Sequence, residues 1–273
     1  MTSRDRRDEL KRYANSLNVQ PEKVFPLIQL IFVDQGANRE AFEGLDCRIE
    51  FIYITTHHCS LSKARNIGLQ YATGDYICFP DDDCWYDNDT LEKVISHLEV
   101  NREDDGVVII AKDEDDVKIS DFPDTKRQLT YKDHCCALSI SLFLKFDKDI
   151  KFDENIGVGS PYNLSSGEET DYLLTYMERH PGFQITFIPS IIIRHPLAKY
   201  EGFDTPTDKI YGYARGNGYI IRKHPYGFLY KLLCLIKPFV WIVIRSIINR
   251  KAVKGTVAYA RGRVEGFFFR IKD

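Results

Sequence analysis

The sequence has no cysteines in CxxC spacing, no internal repeat, no low-complexity linker and no apolar run as long as a bilayer span. Without CxxC pairs, the spacing of a zinc ribbon is excluded. The seven cysteines (47, 59, 78, 84, 135, 136, 234) are odd in number, which points to reduced thiols in a cytosolic compartment rather than a disulfide framework. Cys135 and Cys136 beside His134 put two ligand types at one place, which is not enough for a metal site. The opening MTSRDRRDELKR is charged and polar, unlike a signal peptide. Acids run short toward the C-terminus: from Arg215 onward there are 2 Asp+Glu against 13 Lys+Arg, while residues 1–214 hold 38 against 24. The net charge of −3 gives no sign of a nucleic-acid partner, yet it hides an acidic body with a basic tail.

What is present reads as an ordinary globular chain, 44% hydrophobic and 28% charged. Leu10, Tyr13, Ala14 and Leu17 form an i, i+3, i+4, i+7 stripe that predicts a helix over 4–18. PLIQLIFVDQG (26–36) reads as a buried strand with polar residues at its carboxyl end, and RIEFIYITT (48–56) as the next strand. Ser60 is placed to cap a helix over 61–72, DYICFP (75–80) follows as a strand, and Asn88 or Asp89 caps a helix to about residue 100. VVIIA (107–111), ALSISLFLKF (137–146), QITFIP and SIIIRH are strand-like, the last two separated at Pro189; residues 112–134 read as a surface excursion. EETDYLLTYMERH (168–180) is helical. Strands alternating with helices predict an α/β fold, in which ligands sit beyond the carboxyl ends of the strands.

Asp34 and the run Asp81, Asp82, Asp83 both fall at such ends. Adjacent carboxylates repel, so a triple-acid corner needs a compensating positive charge. One reading is a solvated acidic turn that caps the next helix, although Asn88 and Asp89 already serve that helix. The other is a divalent cation, Mn2+ or Mg2+, held by carboxylates and bridging to a substrate diphosphate. A second acidic group, Glu168, Glu169 and Asp171, opens the 168–180 helix; the helix dipole favours acids there, and so does acceptor chemistry that needs a base.

ARNIGLQYATGDYICFPDDD resembles the core signature of family 2 glycosyltransferases: Ala64, Arg65, Asn66 and Gly68 match an A-R-N-x-G helix, and Asp81–Asp83 match a D-x-D strand end. LIFVDQG, FDENIGVGS (152–160), GEETDYLL (167–174) and IIIRHP (191–196) are similar to further segments of that family, in the same order. The resemblance implies a GT-A three-layer sandwich with a mostly parallel central sheet and a C-terminal helical extension. It implies that Asp34, Arg65, Asn66, Asp81 and Asp82 bind the nucleotide sugar, that Asp83 and His195 hold the metal, and that Glu169 is the base with Glu168 and Asp171 in support. The implied reaction moves a sugar from a nucleoside diphosphate, with UDP the commonest carrier, to a hydroxyl of a saccharide or lipid-linked saccharide, with inversion. A catalytically impaired partner subunit and a metal-dependent nucleotidyltransferase or phosphohydrolase are the competing readings. The family's first strand, apolar-apolar-Pro-Thr, has no counterpart, and the sequence opens within what resembles the helix after it.

These readings divide the chain into a transferase domain over 1–205 and a basic helical extension over 206–273. In the extension, Lys231, Lys237 and Arg245 punctuate an apolar stretch carrying Trp241, a composition suited to a helix lying on an anionic membrane surface. A helix packed on the catalytic domain is the alternative. The expected location is cytoplasmic and peripheral, at the inner face of the cell membrane.

Overall fold

A computed structural model describes residues 1–133, 137–197 and 205–271, apart from the side chains of Pro26 and Leu27. The His134–Cys135–Cys136 locus therefore lies outside the described residues. The elements run β1 (Thr2–Ser3), α1 (Arg7–Asn18), β2 (Gln29–Asp34), β3 (Glu50–Thr55), α2 (Leu61–Leu69), β4 (Tyr76–Cys78), β5 (Trp85–Tyr86) and α3 (Thr90–Val100). They continue as β6 (Gly106–Lys112), β7 (Arg127–Gln128), β8 (Leu142–Lys145), α4 (Glu168–Arg179), β9 (Ile185–Arg194), α5 (Thr207–Lys223), α6 (Phe228–Ile248) and α7 (Val253–Phe268). Two compact units result, and the boundary expected near residue 205 is not a single cut. The first comprises Met1–Cys59, Lys63–Lys151 and Tyr176–Leu197; the second comprises Ser60–Ser62, Phe152–Thr175 and the described residues from 205 onward.

In the first unit, β1, β2 and β3 form a parallel ladder, and the other strands form a second sheet in the order β4-β8-β6-β9-β5, with β7 also on β9. The expected mostly parallel sheet therefore holds only for the first ladder: within the second sheet, β6–β9 is the one parallel pair among the described strands. Strand β6 is central and buried along Gly106–Ala111, as a continuous apolar run flanked on both sides requires. Pro189 does not break β9. The register steps from Ile109↔Ile188 to Ile110↔Ile192, so residues 189–191 bulge out and the missing Pro N–H falls where no ladder bond is needed. The 112–134 excursion also proves partly structural, because β7 pairs with β9 and Phe122 and Leu129 are buried.

The predicted stripe of α1 is buried at Leu10, Tyr13, Ala14 and Leu17. Asp89 stands at the N-cap of α3 but makes no cap bond with its side chain. The Gln20 side chain, just beyond α1, accepts from Leu91 N at 3.2 Å instead, and donates to Asp87 O at 2.8 Å. A first strand is present in short form. Thr2 and Ser3 pair in parallel with Val33 and Asp34, and the Met1 amino group donates to Ile31 O at 3.0 Å. No ladder among the described residues joins β2 to β4. A cavity of about 710 Å3 separates them, lined by Met1, Leu30, Ile31, Ala64, Ile77 and Val94 among others.

The second unit rests on a close helix pair. A Cβ on Gly218 would stand 2.2 Å from Arg263 O, and one on Gly266 would stand 1.9 Å from Arg215 O. Only glycine lets α5 and α7 approach backbone to backbone in this way.

Candidate functional site

Strand β2 delivers Asp34 to its carboxyl end with only 1% of the residue exposed. Its carboxylate accepts from Gly36 N (2.9 Å), Asn38 N (2.7 Å), Asn38 Nδ2 (2.7 Å) and the Tyr53 hydroxyl (2.5 Å). Burial works to raise the pKa of this carboxyl, but the donors from Tyr53, Asn38 and Gly36 outweigh it and hold it below the ordinary range. Four donors fill the acceptor capacity of an ionised carboxylate, so Asp34 shapes the 35–38 loop. A Cβ on Gly36 would stand 1.8 Å from Arg4 O, so this turn requires glycine.

After β4, a turn places Cys84 N against Asp81 O at 3.5 Å and splays the three aspartates toward three sets of partners. Asp81 accepts from Arg65 Nη2 at 3.0 Å, and the Arg65 side chain is buried in α2 next to the buried Asn66. Asp82 accepts from Ser3 Oγ at 2.6 Å and lies 3.4 Å from Arg6 Nη1. Asp83 accepts from Arg6 Nη1 through Oδ2, while its Oδ1 is 3.1 Å from His195 Nε2. Arg12 holds the same turn by donating to Asp83 O at 2.7 Å and covers the Trp85 ring at 3.8 Å. The compensating charge in this structure therefore comes from Arg6, Arg65 and His195. Burial pushes the Asp82 pKa up, and Ser3 and Arg6 only partly counter it. Burial acts the same way on Asp83, but His195 and Arg6 prevail and hold it at about 2.

His195 follows β9, and its Nδ1 lies 2.7 Å from Pro196 O. A carbonyl only accepts, so Nδ1 carries the proton, and in the neutral ring Nε2 presents a lone pair. A lone pair facing an ionised carboxylate is repulsive. The 3.1 Å contact therefore requires either an imidazolium or a cation shared by the two atoms. Burial works to lower the His195 pKa, and the Asp83 carboxylate outweighs it and raises it. Two ligands at right angles on an ion with bonds of about 2.1 Å stand roughly 3 Å apart, so the same spacing also fits Mg2+ or Mn2+. An Nδ1–H fixed by a carbonyl is the usual support for a histidine ligand. Among the described residues, no group of three or more His, Cys, Asp or Glu is arranged to hold an ion. A two-ligand seat is nonetheless enough for a hard cation that takes its other oxygens from phosphate and water.

The second acidic group belongs to the second unit. Gly167, at φ +94°, precedes α4; a Cβ there would meet Ile220 Cδ1 at 2.1 Å. The three acids that follow differ sharply. Asp171 is 1% exposed and is tied to Lys223 Nζ at 2.8 Å and His224 Nε2 at 2.9 Å. Lys223 also reaches Asp153 at 2.9 Å. Burial works to lower the Lys223 pKa, and the two aspartates raise it beyond its ordinary value. Glu168 is buried as well, with its carboxylate close to the Gly157 backbone. Glu169 is half-buried and the most accessible acid of the three.

Sequence reasoning overlooked Arg6, Ser3, Tyr53, Lys223 and His224. The basic run at residues 4–7 was the only available hint of Arg6; Lys223 lies 52 positions from Asp171 and left no local signal.

The model of the family described as "Glycosyl transferase family 2" matches residues 1–161, more than half of the chain. An uncharacterized glycosyltransferase of Haemophilus influenzae is 36% identical over 77 residues, covering 26% of this chain and 30% of that protein. The minor teichoic acid biosynthesis protein GgaB of Bacillus subtilis is 30% identical over 127 residues, 41% of this chain and 14% of that one. The chain thus spans less than a third of the length of these relatives. Among solved structures, residues 1–349 of S. aureus TarS align with a TM-score of 0.62 at 16% identity, covering 97% of this chain and 89% of that one. The TarS structure in complex with UDP-GlcNAc aligns with a TM-score of 0.62 at 14% identity, with the same coverage. These neighbours share the GT-A fold.

Proposed function

The chain belongs to glycosyl transferase family 2, and from that premise we propose that it transfers a sugar from a nucleoside diphosphate, UDP first, to a hydroxyl of a saccharide or lipid-linked saccharide, with metal assistance and inversion, at the inner face of the cell membrane. One observation carries the reading: the turn after β4 aims Asp83 at His195 Nε2 while Asp81 engages the buried Arg65. Asp83 and His195 are the residues that would hold Mn2+ or Mg2+. When bound, the ion offsets charge on the departing diphosphate. Arg65 is positioned by Asp81 to donate to the nucleotide with its fixed fork. Glu169, the accessible acid of its group, takes the proton of the acceptor hydroxyl as that oxygen bonds to the anomeric carbon. The carbon–phosphate oxygen bond breaks in the same displacement, its electron pair leaves with the diphosphate, and the configuration inverts. Asp171, locked by Lys223 and His224, positions the first turn of α4.

One observation favours a second reading, a membrane-associated partner subunit with impaired catalysis. Arg6 already bridges Asp82 and Asp83 and supplies charge that a cation would otherwise provide. A panel of nucleotide sugars, incubated with Mn2+ and scored for hydrolysis, transfer and anomeric configuration, separates the two. Mn2+-dependent turnover with an inverted product supports the transferase; an absence of turnover and of nucleotide binding supports the partner subunit.

A further inference from the structure

We infer that α6 docks lengthwise on an anionic lipid bilayer through a face the fold turns outward. In a soluble amphipathic helix the apolar face packs inward and the charged face meets water. Here two cations turn inward beside the half-buried Cys234, Leu235 and Ile242, and an apolar stripe meets water. Lys231, Pro238 and Arg245, spaced seven apart, form the inner side: Lys231 Nζ donates to Arg222 O at 3.1 Å, Arg245 Nη1 donates to Thr256 Oγ1 at 2.7 Å, and Pro238 is the buried residue of the helix. On the outer side, Leu229, Leu233, Ile236, Val240, Val243 and Ile247 alternate by four and three, with exposures from 47% to 80%. The α5–α7 pair closes through its glycine contacts with each other, and among the described residues this outward face stays exposed within its own unit.

Water is a poor neighbour for such a stripe, and the length and charge of the helix decide what covers it. At 21 residues, α6 is about 31 Å long. Among the described residues, no helix is long and apolar enough to cross a membrane, and the cations within α6 exclude burial on all sides. A second copy of the chain is the rival occupant, since four–three spacing also builds coiled coils. Those pairs rely on opposite charges beside the seam. α6 carries no acid, and the sequence from Arg215 holds 13 cations to 2 acids, so two copies would bring like charges together. Anionic lipid brings the opposite charge. Lys237, Arg250, Lys251 and Lys254 are exposed on and just beyond the helix, where a headgroup layer would meet them.

The test is flotation of the full chain with vesicles of phosphatidylglycerol and phosphatidylcholine, against phosphatidylcholine alone, with mass read by light scattering. The expected result is a monomer that floats with anionic vesicles and much less with neutral ones. The triple variant Leu233→Gln, Val240→Gln, Val243→Gln should lose about 100-fold or more in partitioning, because each aliphatic side chain moved into hydrocarbon contributes on the order of tenfold. Its melting temperature should be unchanged, since all three side chains are exposed. Three outcomes would overturn the inference: no flotation, flotation equal on both vesicles or indifferent to the variant, or a wild-type dimer that the variant dissolves. The readout does not involve sugar transfer, so it stands or falls apart from the catalytic reading.

Discussion

Two short stretches each hold three carboxylates, and the fold treats them in opposite ways. At Asp81–Asp83 a turn fans the side chains out: Asp81 meets Arg65, Asp82 and Asp83 share the half-exposed Arg6, and Asp83 also faces His195. At Glu168–Asp171 a helix buries two of the acids, clamps Asp171 between Lys223 and His224, and leaves Glu169 accessible. A carboxylate held by an exposed partner such as Arg6 exchanges it for a ligand at small cost, whereas Asp171, buried against Lys223 and His224, is committed to structure. On the proposed function, the difference suits Asp82 and Asp83 to ligand binding and Asp171 to support.

Replacing Glu169 tests the contrast hardest. Glu169→Gln should lower kcat by about 10^2–10^4 with UDP affinity unchanged, measured by steady-state kinetics and titration. Asp83→Ala should follow, costing roughly 10^2–10^3 in kcat while the melting temperature moves little, because its partners are partly exposed. Asp171→Ala should do the reverse. Removing it leaves Lys223 with Asp153 alone and the buried His224 Nε2 without its carboxylate partner, and denaturant unfolding should show a loss of about 3 kcal/mol. A D171A variant as stable as the wild type would erase the distinction.

A smaller effect concerns acid. The Asp34 pKa lies below its unfolded value of about 4, so the carboxylate's contribution is complete above that pH and is lost as pH falls through the folded value. In Asp34→Asn, stability measured below pH 4 should depend less on pH than in the wild type. The smallest effect probes the cavity beside β2. The β1 register places residues added ahead of Met1 opposite Ile31, Leu30 and Gln29. A four-residue apolar extension should therefore raise Tm, by about 2–4 °C for each kcal/mol gained.

Long elements with a clear period were legible in the sequence: α1 through its stripe, and β2, β3 and β6 through their apolar runs. Two-residue strands have no period, so β1, β5 and β7 escaped, and β1 matters because it brings Ser3 to Asp82. Pro189 read as a break because sequence does not reveal that a bulge can absorb it. In the candidate site the acids and His195 were visible as residue types, but their partners were not. Arg6 to Asp83 spans 77 positions, and Lys223 to Asp171 spans 52, distances that only the fold closes. The apolar character of α6 was legible; which side of it turns outward depends on how Lys231 and Arg245 are satisfied by α5 and α7.

The most direct measurement is calorimetric titration of UDP into wild-type, Asp83→Ala and His195→Ala chains, with Mn2+ and then with EDTA. The account predicts binding that needs Mn2+ and weakens at least about tenfold in either variant, the fall expected when a cation seat loses one of its two protein ligands. UDP binding that is equally tight in EDTA, or indifferent to His195→Ala, would contradict it.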